Sequence, residues 1–382
     1  MYYLPDYNGG SIVNLMSSIS KSLGGKPKYR TLKILPPREL DNSKNTVLMV
    51  IDGLGLEFLK KNGKGTVFKK YLRGNITSVF PPTTAAAITT FKTGVAPQQH
   101  TVTSWFMNLK EIGVISAFLP FKSRSGNFDF STKVKMKDIL SQKNFFDSIK
   151  VPSFMVTKKD IVDSAYSKLL SGKSQRLAYK TLEGFFRQIK KVINSSNRKK
   201  FIYAYWPEFD IICHKHGVKS KKAKEHFREL NRKLSRFIKN IEGTDTTLII
   251  TADHGLIDCK TIYLEKHPKL KECLSLPLCG EPRTVYCYVH PSKAREFEKY
   301  VGEKLKKFCY LYKSEELVRK NYFGLFKPNK RIFQRIGDYT LIMKENYMLK
   351  DKILGEKSYN FIGHHGGVSK EEMIVPLIVI KN

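Results

Sequence analysis

The sequence predicts an α/β protein: a doubly wound, mostly parallel sheet with helices on both faces, carrying an inserted smaller α/β subdomain. Three observations predict it. Apolar, β-branched runs at 46–51, 201–205 and 246–251 lack polar alternation, as strands buried on both faces require. Apolar residues recur at helical spacing between and around them, at 177–195 and again from Phe227 to Ile238. Each of the three runs is also followed closely by an Asp in a turn or helix start, and open α/β sheets place their ligands at that edge.

The chain of 382 residues, 41% of them hydrophobic, is long enough for one large α/β domain with an insertion. Its expected division is a main core over 1–265, an inserted α/β lid over 266–345 and the remainder of the core over 346–382. No N-terminal stretch reads as a signal peptide and no apolar run approaches membrane-spanning length, so the expected location is cytoplasmic. Six cysteines without CxxC spacing fit reduced thiols there. The net charge of +34 suits an anionic substrate or nucleic acid. Its spread along the chain, rather than in one block, is what solvated background charge would also give.

Taken in order, residues 1–44 read as an arm with one short helix, packed on the main domain. The run 46–51 is a buried strand that ends in Asp52-Gly53, followed by a helical pattern over 56–61. An extended run then breaks at Pro81-Pro82, and a small-residue helix begins at Thr83 or Thr84 and ends at Thr93-Gly94. Thr84 at that helix start has two readings. It caps the helix, or its hydroxyl is a nucleophile beneath an anion held by the unpaired first-turn N–H groups, phosphate being the obvious one.

His100 and Trp105 follow in a loop, and 127–137 is irregular. A strand at 154–157 and an amphipathic helix at 177–195 lead to the strand 201–205. That strand runs into Asp210 and His214, four residues apart and so on one helical face. A second amphipathic helix carries a basic outer face through Arg228, Arg232, Lys233 and Arg236. The strand 246–251 delivers Asp253-His254-Gly255. The segment 266–345 changes character, with strands expected at 284–289 and 338–343, a charged helix at 292–307 and basic irregular sequence at 319–335. The chain returns through Gly363-His364-His365-Gly366, and a last strand at 373–380 closes the sheet.

Each of these residues taken singly is an ordinary turn former or cap. Together Asp52, Thr84, Asp210, His214, Asp253, His254 and His365 fall on one edge of the predicted sheet. Three carboxylates, three imidazoles and a hydroxyl suit two borderline divalent metal ions ~4 Å apart.

The ordered set resembles the alkaline phosphatase superfamily, most closely its nucleotide pyrophosphatase/phosphodiesterase branch. It comprises Asp52-Gly53, Thr84 with Thr93-Gly94 and Pro97, Asp210-x-x-x-His214-x-x-Gly217, Asp253-His254-Gly255 and Gly363-x-His365-Gly366. The resemblance covers most of the chain outside 266–345. It implies that Asp52, Asp253, His254 and the Thr84 oxygen hold one metal and that Asp210, His214 and His365 hold the other. Zinc is the family's usual ion, with manganese or iron as alternatives. His365 is preferred to His364 because the family's ligand directly precedes Gly.

The resemblance further implies hydrolysis of a phosphodiester or pyrophosphate bond, with nucleotide-type substrates, through a phosphothreonine at Thr84. A phosphomonoesterase with the same metals is the alternative enzyme, and a catalytically inactive basic nucleic-acid-binding protein is the alternative from another class. The chain departs from the branch in one place: where it has an Asn that contacts a phosphoryl oxygen, this chain reads Thr103-Ser104-Trp105, with no Asn until Asn108. The substrate-contact candidates are Trp105 and Arg283, the latter following Gly280-Glu281-Pro282 on a segment expected to wall the site. An ion pair within the fold is the other reading of Arg283.

Overall fold

The computed structural model describes residues 2–356 and 360–382. Its main sheet has seven strands: β1 (Asn45–Ile51), β2 (Leu72–Thr77), β3 (Ser153–Lys158), β4 (Gln175–Tyr179), β5 (Lys200–Trp206), β6 (Thr246–Thr251) and β7 (Ile374–Lys381). Their spatial order is β2-β7-β6-β1-β5-β3-β4. The block β6-β1-β5-β3-β4 is parallel, and β7 runs antiparallel to both β6 and β2. β1 is central, and Val47, Leu48, Met49, Val50 and Ile51 have no exposed surface. Burial at that level is worth roughly 1.5–3 kcal/mol per large aliphatic side chain, which is why so uniformly apolar a run can only be an inner strand.

Helices α1 (Ile12–Ser22), α2 (Thr84–Thr93), α3 (Leu182–Ile193), α4 (Glu208–His216) and α5 (Lys221–Lys239) surround this sheet. The N-terminal arm is tied down, because nearly all of α1 is buried and it packs against α2. α3 begins at Thr181, whose side chain accepts the Gly184 N–H, and α5 at Ser220, which accepts the Ala223 N–H. The two helices pack through Phe186 and Phe237, with ring centres 5.1 Å apart. Arg228, Arg232 and Arg236 of α5 face solvent, while Lys233 reaches Glu183 at 3.1 Å.

The structure corrects the expected helix over 177–195. It starts only at Leu182, and the preceding residues form β4 at the sheet edge. Within the expected helix over 292–307, α-helical geometry covers Ala294–Tyr300 and continues as a π turn over Val301–Leu305.

A second sheet of seven strands is antiparallel throughout. In spatial order its strands are Cys309–Lys313, Tyr339–Met343, Thr284–Cys287, Cys279–Glu281, Phe106–Leu109, Val114–Ala117 and Lys122–Ser123. It therefore draws on 106–123 as well as on 266–345, the two parts meeting where Gly280 pairs with Phe106. It has its own apolar cluster, including Leu270, Val285, Phe297 and Leu341. Among the described residues no helix is long and apolar enough to cross a membrane.

Candidate active site

Strand register brings the acidic residues together. Ile51 at the end of β1 lies beside Trp206 at the end of β5, and Val50 lies beside Thr251 at the end of β6. The residues that follow are Asp52, the turn into α4 with Asp210, and Asp253-His254. Three adjacent parallel strands thus deliver three carboxylates to one carboxyl edge.

His365 arrives from the far end of the chain. A short ribbon pairs Ile257 with His364 and Asp258 with Gly363, so the segment after His254 and the segment before His365 run side by side. Gly363 permits this close approach, since a Cβ there would stand 2.5 Å from the Cys213 carbonyl oxygen. The same approach lets His214 Nδ1 donate to the Gly363 carbonyl at 2.7 Å, leaving Nε2 to face Asp210 as the ligand nitrogen.

Two groups of ligand atoms result. In one, single atoms of Asp52, Asp253 and His254 lie within 4.8 Å of one another, and in the other so do atoms of Asp210, His214 and His365. His254 Nε2 is 3.4 Å from Asp52 Oδ1 and from Asp253 Oδ2, and His214 Nε2 is 3.2 Å from Asp210 Oδ2. The groups adjoin, the rings of His254 and His365 stacking with centres 3.8 Å apart. Thr84 is the first residue of α2, and its Oγ1 lies 3.1 Å from His254 Nε2. The structure thereby assembles all seven residues. His364 lies beside them, its ring centre 5.4 Å from that of His214, but belongs to neither group.

Neighbouring groups orient the ligands. The Tyr205 hydroxyl donates to Asp52 Oδ2, the Gly53 N–H donates to Asp253 Oδ1 at 3.0 Å, and the Ser78 hydroxyl donates to the Asp253 carbonyl oxygen. His365 hydrogen-bonds the Pro82 carbonyl.

The donor set fits cations. Asp52, Asp210 and Asp253 are buried, and among the described residues their ion pairs are with histidines, never with Lys or Arg. Asp52 Oδ1, Asp210 Oδ1, Asp253 Oδ2 and His365 Nδ1 are buried without a hydrogen-bond partner, a costly state unless a cation takes their lone pairs. Burial, then the charges of Asp253 and Asp210, pushes the Asp52 carboxyl well above the usual carboxylate range. Burial also raises Asp253, and it drives His365 far below the usual imidazole range together with the charges of His254 and His214. Burial likewise opposes ionisation of Asp210, but the charge and hydrogen bond of His214 outweigh it and the net displacement is downward. Carboxylates that resist ionising together and a histidine held neutral are what an incoming divalent ion would resolve.

Two expected contacts fall differently. Arg283 does not face the site. It is 1% exposed, its Nε and Nη2 bind both oxygens of Glu372 at 2.7 and 2.9 Å, and its remaining donors reach the carbonyls of Tyr347 and Glu345. Burial favours this arrangement, since a guanidinium in that position needs a full set of acceptors. Trp105 is 38% exposed, and its backbone N–H donates at 2.6 Å to Glu281, which also accepts the Thr83 hydroxyl at 2.5 Å. His100 is a satisfied buried histidine, with Nε2 at Thr90 Oγ1 and Nδ1 accepting the Val102 N–H, both at 3.1 Å.

Glu281 and Tyr205 are the site's unforeseen members. Burial pushes the Glu281 carboxyl up to about 7, against the hydrogen bonds from Thr83 and Trp105 that favour its charged form. The sequence signal for Glu281 is an acidic residue two positions before Arg283, in a segment expected to wall the site.

The sequence model of the type I phosphodiesterase/nucleotide pyrophosphatase family matches residues 46–368. The chain belongs to that family. Type I phosphodiesterases are metal-dependent phosphoester hydrolases of the alkaline phosphatase superfamily, and the two ligand groups described here are this member's candidate metal positions. Among solved structures, the chain superimposes on human ectonucleotide pyrophosphatase/phosphodiesterase 5 with a TM-score of 0.66 at 16% identity, covering 87% of each chain. The murine counterpart gives 0.65 at 16% identity with the same coverage. Phosphonoacetate hydrolase from Sinorhizobium meliloti 1021 gives 0.64 at 17% identity, covering 88% of this chain and 90% of its own. At these identities the superpositions establish the shared fold. No curated protein matches by sequence.

Proposed function

We propose that this type I phosphodiesterase cleaves phosphodiester or pyrophosphate bonds of nucleotide-type substrates, with Thr84 as nucleophile and two divalent ions, zinc first among them. The observation that carries the reading is the half-buried Thr84 hydroxyl at the first position of α2, 3.1 Å from His254 Nε2 and at the seam of two ligand groups. Asp52, Asp253, His254 and the Thr84 oxygen would hold one ion, and Asp210, His214 and His365 the other. Bound there, the ions supply Lewis-acid chemistry, lowering the pKa of the Thr84 hydroxyl and offsetting charge on the leaving oxygen.

The chain's own residues do the rest. α2 points the N–H groups of its first turn at the space over Thr84, where a phosphoryl oxygen is favoured by the positive end of the helix. Thr84 Oγ1 attacks phosphorus as its proton passes to solvent, the P–O bond to the leaving group breaks, and a phosphothreonine that keeps the substrate's other ester group forms. Water then cleaves that ester and restores the hydroxyl. This polar first turn stands in for the absent Asn: Asn108 instead lies beside Tyr288 in the second sheet, and the Ser104 hydroxyl is engaged with the Phe106 carbonyl at 2.9 Å.

Trp105 supports the nucleotide preference. Its backbone is anchored through Glu281 to Thr83, next to the nucleophile, and its exposed indole offers a face on which a nucleobase can stack for roughly 1–3 kcal/mol. The murine relative has been crystallised as an inactive threonine-to-alanine variant with AMP, which agrees with a nucleotide in such a site.

The test is parallel turnover of an aryl phosphodiester and an aryl phosphomonoester by protein of known metal content, with acid quench during the diester reaction. A preference for the diester and a trapped phosphate on Thr84 are expected. Preferential turnover of the monoester would replace this reading with the phosphomonoesterase one.

A further inference from the structure

We propose that Glu281 sets the charge preference of the site, disfavouring doubly charged phosphomonoesters relative to singly charged phosphodiesters. The proposal rests on the phosphoester-hydrolase reading above and deepens it.

Glu281 ends a strand of the second sheet and is 6% exposed. Its Oε1 accepts the hydroxyl of Thr83, the residue before the nucleophile, and the backbone N–H of Trp105. On its other side stands Gly366, the residue after His365. A Cβ at Gly366 would lie 2.8 Å from Glu281 Cβ, and the glycine has φ +103°, so this backbone both needs and permits a residue without a side chain. The carboxyl is thereby wedged between the neighbours of Thr84 and His365, at the seam of the two ligand groups.

Both donors to Oε1 are neutral, and among the described residues no Lys or Arg forms an ion pair with Glu281. The nearby cation in sequence, Arg283, is committed to Glu372. Above about pH 7, where the Glu281 carboxyl is ionised, a phosphoryl group over Thr84 therefore meets a carboxylate that no Lys or Arg among the described residues pairs with, His214 being the cation that acts on it through space. Each added negative charge on the substrate is repelled again, and a phosphomonoester dianion carries one more than a diester. The same carboxyl holds the Trp105 backbone, so one residue fixes the platform and biases the charge.

Glu281→Gln separates charge from position, because the amide oxygen still accepts from Thr83 and Trp105 while the charge is gone. The quantity read is the ratio of monoester to diester kcat/KM on metal-loaded protein, which is independent of the active fraction. Glu281→Gln should raise it by about tenfold or more, tenfold being the effect of one extra unit charge roughly 12 Å away at an effective dielectric of about 20. Glu281→Asp, which keeps the charge, should leave the ratio at the wild-type value. An unchanged ratio in Glu281→Gln, or an equal rise in Glu281→Asp, overturns the proposal and leaves Glu281 a structural clamp.

A binding measurement keeps this apart from the activity. On metal-loaded Thr84→Ala protein, calorimetry with AMP and with its phosphate methyl ester should show AMP gaining about tenfold over the ester when Glu281→Gln is added. If neither aryl ester turns over in the wild type, the hydrolase reading fails while the calorimetric ratio still decides the role of Glu281.

Discussion

Thr84 and His254 meet across 170 residues of chain, the threonine hydroxyl 3.1 Å from the histidine Nε2, and neither the helix cap nor any core contact accounts for the pairing. The cap position belongs to Thr83, whose side chain is given to Glu281 and makes no cap bond. Thr84→Ala thus removes the attacking oxygen while leaving the helix start intact. Turnover should fall by at least ~10³-fold, with stability held to within about 1 kcal/mol. Thr84→Ser should retain measurable activity. Thermal melts and single-turnover rates on the three proteins check this, and normal turnover in the Ala variant would remove Thr84 from the mechanism.

The adjacent histidines differ in what surrounds them. Each has a buried ring nitrogen without a partner, Nδ1 of His365 and Nε2 of His364, but only His365 lies within a ligand group, that of Asp210 and His214. His365→Ala should lower bound metal from two ions per chain to one, because two remaining protein ligands are too few donors to hold an ion. His364→Ala should keep two. Elemental analysis of both variants after reconstitution decides it, and the opposite pattern would exchange their roles.

How far the sequence reveals this site follows from chain physics. β1, β5 and β6 are legible because strands buried on both faces must be apolar throughout, and the residues just beyond their ends inherit a predictable place. β4 is not, since an edge strand carrying Gln175 and Arg176 has no such run and adjoins a strong helical pattern. The strands at 106–123 are short and antiparallel and pair mostly with one another, and their join to the rest of the sheet, Phe106 with Gly280, spans 174 residues, so nothing local announces one continuous sheet. Arg283 misleads for the same reason: Glu372, its partner, is 89 residues away, and only the fold shows that the guanidinium is engaged. Glu281 goes unseen beside it because its meaning lies in Thr83, Trp105 and Gly366 together.

Arg283 is accordingly predicted to act on stability. Arg283→Met leaves Glu372 buried without its counter-ion, a loss of about 3–5 kcal/mol when one partner of such a pair is removed. The unfolding free energy from denaturant titration should drop by that amount, while kcat/KM per folded molecule on the diester stays within about threefold of wild type. A large fall in kcat/KM at unchanged stability would return Arg283 to the substrate.

Lys92 in the last turn of α2 gives a prediction with a pH signature. It is 3% exposed, its Nζ sits 4.5 Å from the centre of the Tyr166 ring, and among the described residues it forms no ion pair. Burial lowers its amine to about 7, whereas in an unfolded chain it titrates near 10.4. Between these values the unfolded chain binds the proton that the folded protein has released, so this residue makes stability rise with pH through that window. Below about 7 both states are protonated and the full penalty of the buried charge persists. Lys92→Met, of similar length and apolar, should therefore stabilise the protein most at pH 7 and below, by on the order of 4 kcal/mol at 1.36 kcal/mol per pKa unit. That advantage should shrink steadily above pH 7 and reach zero only as the pH passes about 10.4, above which both states hold the neutral amine. Urea midpoints of the two proteins across the window measure it. A difference that does not vary with pH would mean that Lys92 keeps its proton in the fold, held by the Tyr166 ring and the carboxyl end of α2.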